Sequence, residues 1–503
     1  MALWVAWFVM HTPATIELFP VGVAGPVLLA LLWAMLLWGT RGVGRQSRVR
    51  VGVVGGLTAG ALCLTVLGSK LTEPLGDQGV RGSAAPVAEG LRAGAAWAAP
   101  GFVALCAALG LGAGAAGRVV WGAGWVDGPA QARRWVHRMA VVTLVAVVPL
   151  LLLGGLVTSS GAGLAVPDWP GTYGANMFLY PIALMADPRI FLEHTHRLYG
   201  ALVGLTVLGL AVMSTAHARR GVAVAAWALF VAVAWQGYVG GRRVLEASEE
   251  VTKAGQWLGV LHGMQAQVFF AGLAAFTAAL GLGVLRAGGG EGAGGATGPG
   301  AMDAGVTIRR PLWRPDALSA LALGALLLQL MTGAMYRHLR APHALWAHVG
   351  FSIVVVVLAA VAGMRCRYWA GPTGARAGDS QGGNGTAAEA GVGGAGGRLR
   401  VPGWAWDRLG VLIVASAVVQ FVLGWVSLLV VTTAEPAELV IPVATELRDA
   451  PPIAVARSVI RTVHQANGAV LLGGIGWLLV WAGVERAARR QQEQPTARPH
   501  HAV

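Results

Sequence analysis

Residues 258–285 read LGVLHGMQAQVFFAGLAAFTAALGLGVL and contain no Asp, Glu, Lys or Arg. About 20 apolar residues are enough for a helix to cross the hydrocarbon core of a membrane. A helix also satisfies every backbone N–H and C=O group of a single segment in lipid. The run therefore predicts a transmembrane helix. Its one ionisable residue, His262, lies near the start, and an ionisable side chain in such a place indicates a functional site.

The same pattern recurs along the whole chain. Of its 503 residues, 55% are hydrophobic and 12% are charged, and the mean hydropathy is +0.62. The predicted fold class is an all-α polytopic membrane protein, with an eight-helix core of two pseudo-repeated four-helix bundles and about three extra N-terminal helices. We expect eleven spans, near residues 20–40, 51–68, 95–116, 139–158, 197–214, 221–240, 258–285, 316–335, 347–364, 409–431 and 465–484.

The net charge of +14 comes almost entirely from arginine, since lysine occurs only at Lys70 and Lys253. The arginines fall in short connections between apolar runs, and strongly basic connections alternate with less basic ones. This distribution indicates membrane topology rather than a nucleic-acid partner, and it predicts a cytoplasmic C-terminus. The three cysteines, Cys63, Cys106 and Cys366, are scattered, so neither a disulfide framework nor a cysteine metal site is expected.

Two low-complexity connections divide the chain. One is GGGEGAGGATGPG from Gly288 to Gly300, the other is a Gly- and Ala-rich stretch from Gly371 to Gly397, and both predict flexible cytoplasmic linkers. The predicted domains are a membrane extension without an indicated function at 1–135, a first four-helix half at 136–286, a linker at 287–313, a second four-helix half at 314–486 with a flexible loop at 370–400, and a cytoplasmic tail at 487–503.

The two four-helix halves resemble each other. The fourth predicted helix ends in LLLGGLVTSSGAG and the eighth in LLLQLMTGAMYRH, while the seventh opens with LGVLHGMQAQ and the last with RTVHQANGAV. Repeats in membrane proteins tend to carry functional sites at equivalent positions. Each half then supplies two histidines near the outer side, His196 with His262 and His348 with His464.

Two histidines from different helices of one four-helix bundle are typical axial ligands of a haem iron. One alternative is that they are interfacial histidines bonded to backbone or water. Another is a metal ion bound without porphyrin, which would need three or four converging ligands, carboxylates among them. His338 and His343 lie close to His348 in sequence, so which of the three would reach the iron stays open.

The stretch 191–200 reads FLEHTHRLYG. On a helix, Glu193 and His196 share a face, whereas His194 points roughly the opposite way and is expected to be a surface or packing residue. A carboxylate beside an iron-facing histidine could accept protons or orient a water. Two other roles are open for Glu193: a carboxylate favoured by the helix N-terminus, or an ion-pair partner of Arg197.

Four motifs together resemble the CtaA-type haem A synthase family, related to the mitochondrial haem A synthase: LVTSSGAGLAVPDWPGTYG, EHTHRLYGALVG, LGVLHGMQAQVFFAG and RTVHQANGAVLLG. The resemblance spans roughly residues 136–486. It implies an eight-helix core that oxidises the methyl group of haem O to the formyl group of haem A, with water as the oxygen source, for cytochrome oxidase assembly. It also implies that His196 and His262 frame the haem O site, that Glu193 is catalytic, and that His348 and His464 bind a haem b cofactor.

The resemblance implies partners as well. They are the substrate haem O, a haem O synthase, an electron acceptor that is a quinone or another molecule, and the lipid of a bacterial cytoplasmic membrane. Many members of the family carry a cysteine pair in an outer loop, but this chain has no cysteine between residues 159 and 194. A thiol-linked electron path is therefore not expected.

The segment SSGAGLAVPDWPGTYG, residues 159–174, is too rich in Gly and Pro to be helical. We expect it to form a lid over the substrate haem, with Asp168 and Trp169 as contact residues; a rigid turn with an interfacial Trp is the alternative. Outer arginines could bind haem propionates or lipid headgroups. We expect Arg461, one turn from His464, to bind a propionate; the other outer arginines are Arg197, Arg242, Arg243, Arg337 and Arg457.

Two other functions fit part of this pattern. A dihaem b-type electron carrier would use the same histidines and leave Glu193 structural, but four histidines at one face do not suit electron transfer across a membrane. A transporter built from repeats would have helices broken at the midplane, whereas the Gly and Pro interruptions here fall mostly in loops. The sequence therefore predicts an enzyme, a membrane oxidoreductase acting on haem O.

Overall fold

The computed structural model describes residues 21–74, 89–122, 129–247, 251–288, 315–369, 401, 403–432 and 441–493. The predicted linker at 287–313 lies outside these residues apart from its first two. The predicted loop at 370–400 lies outside them entirely, and so does the predicted tail from residue 494 onward. The earlier part of the tail continues the last helix as far as Glu493.

Eleven helices of the described chain are each long and apolar enough to cross a membrane, at the places that hydropathy predicts. The protein is therefore an all-α polytopic membrane protein, as predicted. The helices are α1 Val21–Gly39, α2 Arg48–Leu67, α3 Ala95–Val120, α4 Pro129–Ser159, α5 Pro188–His217, α6 Arg220–Leu245, α7 Lys253–Gly288, α8 Pro315–Leu339, α9 Pro342–Trp369, α10 Gly403–Thr432 and α11 Val455–Glu493. Strands β1 Thr72–Pro74 and β2 Glu89–Leu91 form a short antiparallel pair.

The helices extend beyond the apolar runs. Helix α5 begins at Pro188 rather than near residue 197, because the Asp187 carboxylate caps it by accepting the N–H of Arg189 at 2.7 Å. An apolar run marks the part of a helix that can lie in lipid, and polar turns can continue the helix past it. Glu193 and His196 therefore lie inside α5, beyond its first turn.

Helices α2 and α3 of the N-terminal extension pack backbone to backbone. A Cβ atom on Gly110 would lie 2.0 Å from the carbonyl oxygen of Gly52, and one on Gly56 would lie 2.1 Å from that of Cys106. Small residues allow membrane helices this close approach. Arg48 is fully buried beside them. Its guanidinium satisfies carbonyl oxygens at the C-terminal end of α3, those of Gly117, Trp121 and Gly122.

The described chain forms two compact units. One comprises described residues of Met1–Ala132, Val145–Ala266 and Val426–Ala466, and the other comprises those of Arg133–Leu144, Gln267–Trp425 and Asn467–Val503. The second unit has an aliphatic core that includes Ile413, Leu472 and Ile475. In the first unit, residues 160–187 connect α4 to α5. Leu164 of this segment is buried in a small apolar cluster with Ala247. We call this segment the site loop.

Candidate functional site

His196 of α5 and His262 of α7 are neighbours in the first unit, as the sequence predicts for two ligands of one site. Their ring centroids are 6.5 Å apart and their ring planes are nearly perpendicular, at 83°. A metal–imidazole bond is about 2 Å long, so two imidazoles on opposite sides of one metal ion have centroids about 6 Å apart. The separation of the two rings therefore fits an axial pair.

Each of these rings lies directly on a glycine of the preceding helix. A Cβ atom on Gly154 of α4 would be 3.0 Å from Cε1 of His196, and one on Gly240 of α6 would be 2.7 Å from Cε1 of His262. Both distances are too short for a side chain without displacement of the ring. The two glycines fix how far the imidazoles lie from the backbones of the neighbouring helices. We call a glycine in such contact with a histidine ring a glycine seat.

The hydrogen bonds of the two imidazoles differ. Gln236 of α6 donates an amide N–H to the carbonyl oxygen of His262 at 2.9 Å, and the same nitrogen lies 3.2 Å from Nδ1 of His262. Within the described chain, Nδ1 of His196 and Oε1 of Gln236 are buried without a hydrogen-bond partner.

The described residues do not form the kind of site that would bind a metal ion without porphyrin. Across the part of the chain that the structure describes, no group of three or more His, Cys, Asp or Glu side chains is placed to hold a metal ion. A metal site built from protein side chains alone would need such convergence. Paired histidines, by contrast, are sufficient for a metal that brings its own equatorial ligands, as a porphyrin does.

Glu193 is buried, with 3% of its surface exposed, and precedes His196 by three residues on α5. One carboxylate oxygen accepts from the Arg197 guanidinium at 2.7 Å, and the other accepts the backbone N–H of Val166 at 2.9 Å. The ion pair with Arg197 that the sequence left open is thus present. The helix N-terminus does not account for Glu193, because Asp187 occupies the capping position and Glu193 lies beyond the first turn.

Arg197 ties the site loop to α5. Besides Glu193, its guanidinium donates to the carbonyl oxygens of Asp168 at 2.6 Å, Gly171 at 2.9 Å and Val166 at 3.1 Å. Planar guanidinium groups suit such convergent acceptors. One side chain therefore holds both the buried carboxylate and the backbone of the loop above it.

Arg243 is a second cation at this site. Its guanidinium packs against the backbone of the site loop, where a Cβ atom on Gly163 would lie 2.9 Å from it. It is also close enough to His196, His262 and Glu193 to interact with them electrostatically. The sequence grouped Arg243 with the other outer arginines. Its place beside the histidines follows from the folded chain, where Gly240, three residues earlier on the same face of α6, lies against His262.

Asp168 and Trp169 shape the site loop. The Asp168 carboxylate accepts the backbone N–H groups of Tyr173 at 2.7 Å and Gly174 at 2.8 Å. The Trp169 ring lies on α6 so closely that a Cβ atom on Gly241 would be 2.2 Å from it. These contacts support the rigid-turn alternative for the loop, and contact of Asp168 or Trp169 with a substrate remains a prediction.

His194 is a packing residue, in line with its predicted orientation. Its ring is completely buried, with Nδ1 3.1 Å from the Thr172 hydroxyl and the centroid 5.3 Å from that of Tyr180. Tyr180 in turn stacks on Tyr173 at 6.1 Å. Burial raises the pKa of both tyrosines well above the ordinary value, so they stay protonated. This aromatic cluster fills the space between the site loop and α5.

His348 of the second unit lies inside α9 and has a fixed ring. Its Nδ1 is 2.9 Å from the carbonyl oxygen of Gln329, and Gln329 donates its amide N–H to the His348 carbonyl at 2.8 Å. A Cβ atom on Gly333 would be 2.7 Å from its Cε1. A histidine that donates Nδ1–H to a carbonyl presents its Nε2 lone pair, which is usual for metal-binding histidines.

The other two candidates have different positions. His343 is exposed in the first turn of α9, and His338 lies in the last turn of α8. Among the described residues, neither ring lies against a glycine as the ring of His348 does against Gly333. The geometry therefore favours His348 as the ligand among the three.

His464 and Arg461 lie three residues apart on α11, and both are half-buried. This part of α11 is packed against α4: the Ser458 hydroxyl donates to the carbonyl oxygen of Ser159 at 3.2 Å, and a Cβ atom on Gly155 would be 2.9 Å from the Thr462 methyl group. Arg242, another outer arginine, forms an ion pair with Glu246 on the surface of α6, where such pairs contribute little.

Comparison with known proteins agrees with the resemblance noted from the motifs. Residues 137–360 match the family COX15-CtaA, described as cytochrome oxidase assembly protein. A heme A synthase of Methylobacterium sp. (strain 4-46) is 32% identical over 190 residues, which cover 36% of this chain and 51% of that protein. The chain thus spans about half the length of the curated relative it matches. No solved structure matches the chain.

Proposed function

We propose that the protein is a haem A synthase, because residues 137–360 match the COX15-CtaA family of cytochrome oxidase assembly proteins. Its substrate is haem O, whose methyl group is oxidised to the formyl group of haem A. With water as the oxygen source, one water enters for each methyl group, and four protons and four electrons leave. The electrons pass to a quinone or another acceptor.

The pair of His196 and His262 supports this proposal most directly. Their 6.5 Å separation suits the two axial positions of the substrate haem iron. Glycine seats behind both rings prevent either ring from moving back toward its neighbouring helix. The buried Glu193 carboxylate lies on the same face of α5 as His196, so a proton acceptor stands beside the substrate site.

The remaining polar groups have distinct tasks in this proposal. Arg197 compensates the charge of Glu193 and keeps the site loop in place through three carbonyl oxygens, which excludes bulk water from the carboxylate. Arg243 supplies a cation beside both histidines, suited to a haem propionate. Asp168 and Trp169 keep the loop in the shape that carries these contacts.

A haem b cofactor, when bound, supplies a one-electron redox centre for electrons removed from the substrate. We propose His348 and His464 as its ligands and Arg461 as a propionate partner, on the basis of the sequence repeat and the resemblance. The Nδ1 contact of His348 with Gln329 fits ligation through Nε2. The protein would act in a bacterial cytoplasmic membrane with its C-terminus in the cytoplasm, supplied by a haem O synthase.

The proposed activity is tested by extracting haem from cells that express this protein together with a haem O synthase. Liquid chromatography and mass spectrometry should reveal a haem A peak that is absent from cells lacking the protein. If only haem B and unconverted haem O are found while folded protein is present in the membrane, haem A synthase activity is refuted and a dihaem electron carrier becomes the better explanation.

The glycine seat of His262 makes a specific prediction. Gly240→Ala should displace the imidazole and lower the affinity for haem O about tenfold or more, because the new methyl group would overlap Cε1. Gly237→Ala, one turn earlier on α6, is the matched control, since a Cβ atom there meets no neighbour within 4 Å. Haem O titration of the purified variants, followed by absorbance, gives the comparison. Equal affinities in both variants would mean that His262 does not contact the substrate haem.

A further inference from the structure

The end of α2 touches the site loop directly. A Cβ atom on Gly68, which follows α2, would lie 2.2 Å from the carbonyl oxygen of Phe178. Thr72 of β1 is buried, with 1% exposed, and its hydroxyl donates to the carbonyl oxygen of Leu179. The N-terminal extension thus meets the backbone of two successive loop residues.

Phe178 and Leu179 are connected to the candidate site through the residues that follow them. The next residue, Tyr180, packs on His194, the neighbour of Glu193 in α5. Tyr173, stacked on Tyr180, donates its backbone N–H to Asp168, whose carbonyl oxygen accepts from Arg197. A contiguous series of packed and hydrogen-bonded groups therefore connects Leu179 with the ion pair at Glu193.

Helix α2 and strand β1, which contact the loop, are held in place within the extension. Helix α2 is fixed to α3 through glycine contacts and the buried Arg48. Strand β1 is fixed by pairing of Thr72 with Leu91 and by Arg92, whose guanidinium donates to the Thr72 carbonyl at 2.9 Å. The part of the extension that contacts the loop is therefore itself held in place by its own contacts.

We infer that the N-terminal extension holds the site loop in its working position over the haem O site, with Gly68 and Thr72 as positioning residues. This inference rests on the proposed function and gives a role to a part of the chain outside the region matched by the family, residues 137–360. By holding the loop, the extension helps to position Arg197, and Arg197 in turn positions the Glu193 carboxylate.

The test uses the full-length protein in lipid nanodiscs and compares Thr72→Val with Thr72→Ser. Valine keeps the shape of the side chain but leaves the buried Leu179 carbonyl without its donor, whereas serine keeps the hydroxyl. We expect hydrogen exchange of the amides at residues 175–184 to rise about tenfold in Thr72→Val and to stay at the wild-type rate in Thr72→Ser. We also expect kcat for haem A formation to fall several-fold in Thr72→Val with KM unchanged, because the histidine pair is not disturbed.

Gly68→Ala provides an independent variant, since its methyl group would push against the Phe178 carbonyl, and Gly101→Ala on α3 is its control in open space. Unaltered exchange at residues 175–184 in both Gly68→Ala and Thr72→Val would overturn the inference. Faster exchange with unchanged kcat would also overturn it, because the loop would then not position the carboxylate. A wild-type protein that makes no haem A would refute the proposed function instead, and the exchange data would still decide whether the extension holds the loop.

Discussion

Replacing Glu193 by Gln is expected to lower the rate of haem A formation by about a hundredfold or more while the protein still binds haem O. General acid–base groups contribute this much to enzymatic rates. Glutamine has the same shape as glutamate, and its carbonyl oxygen can still accept either the Val166 N–H or the Arg197 N–H. It cannot accept a proton from the reaction. Haem A is quantified by chromatography, and bound haem O is measured on the same purified samples.

Glu246→Gln is the matched control for this variant. Glu246 also pairs with an arginine in an i,i+4 arrangement, but this pair with Arg242 is partly exposed, at the C-terminal end of α6. Its loss should leave haem A formation unchanged. A purely structural role of Glu193 would instead give Glu193→Gln and Arg197→Gln the same phenotype, a loosened site loop with faster amide exchange. Normal haem A formation by Glu193→Gln would eliminate Glu193 as the catalytic base.

Substitution of His348 by Ala is expected to reduce bound haem B at least tenfold and to stop haem A formation. Removing groups that merely orient a metal ligand already weakens metal binding about 10- to 100-fold, and removal of the ligand itself should weaken it at least as much. The ring of His348 is oriented by the carbonyl oxygen of Gln329 and by its seat on Gly333. The measurement is the ratio of extracted haem B to purified protein.

His343→Ala is the control for this substitution, because His343 is exposed in the first turn of α9. It should retain haem B and activity. Full haem B content in His348→Ala would exclude His348 as a ligand, and loss of haem B from His343→Ala in its place would transfer the role to that residue. His338→Ala completes the set of three histidines that the sequence alone could not separate.

The helices could be predicted because their signals are local. Each span is a continuous apolar run, and lipid leaves helix as the outcome for such a run. The Glu193–Arg197 ion pair also follows from spacing, since residues four apart on a helix are neighbours. His196 and His262 lie on different helices, so their pairing was predicted from the repeat of the motifs in the second half and from the family resemblance rather than from a local pattern.

Other features depend on contacts between distant segments and left no trace in local patterns. The glycine seats behind His196 and His262 follow from how neighbouring helices cross. Nothing in the sequence distinguishes Gly154 and Gly240 from the many other glycines of the chain. The start of α5 at Pro188 was missed because its first turns are polar. Thr72 and Leu179 are 107 residues apart, so their hydrogen bond could be found only in the folded chain.

Arg197 has a consequence for how substrate could enter. Its guanidinium binds the Glu193 carboxylate and three carbonyl oxygens of the site loop at once. The loop therefore cannot lift away from α5 unless Arg197 either leaves these carbonyls or leaves the carboxylate. Opening of the loop and the contact of Arg197 with Glu193 are therefore coupled, because both depend on the same four N–H groups of Nη1 and Nη2.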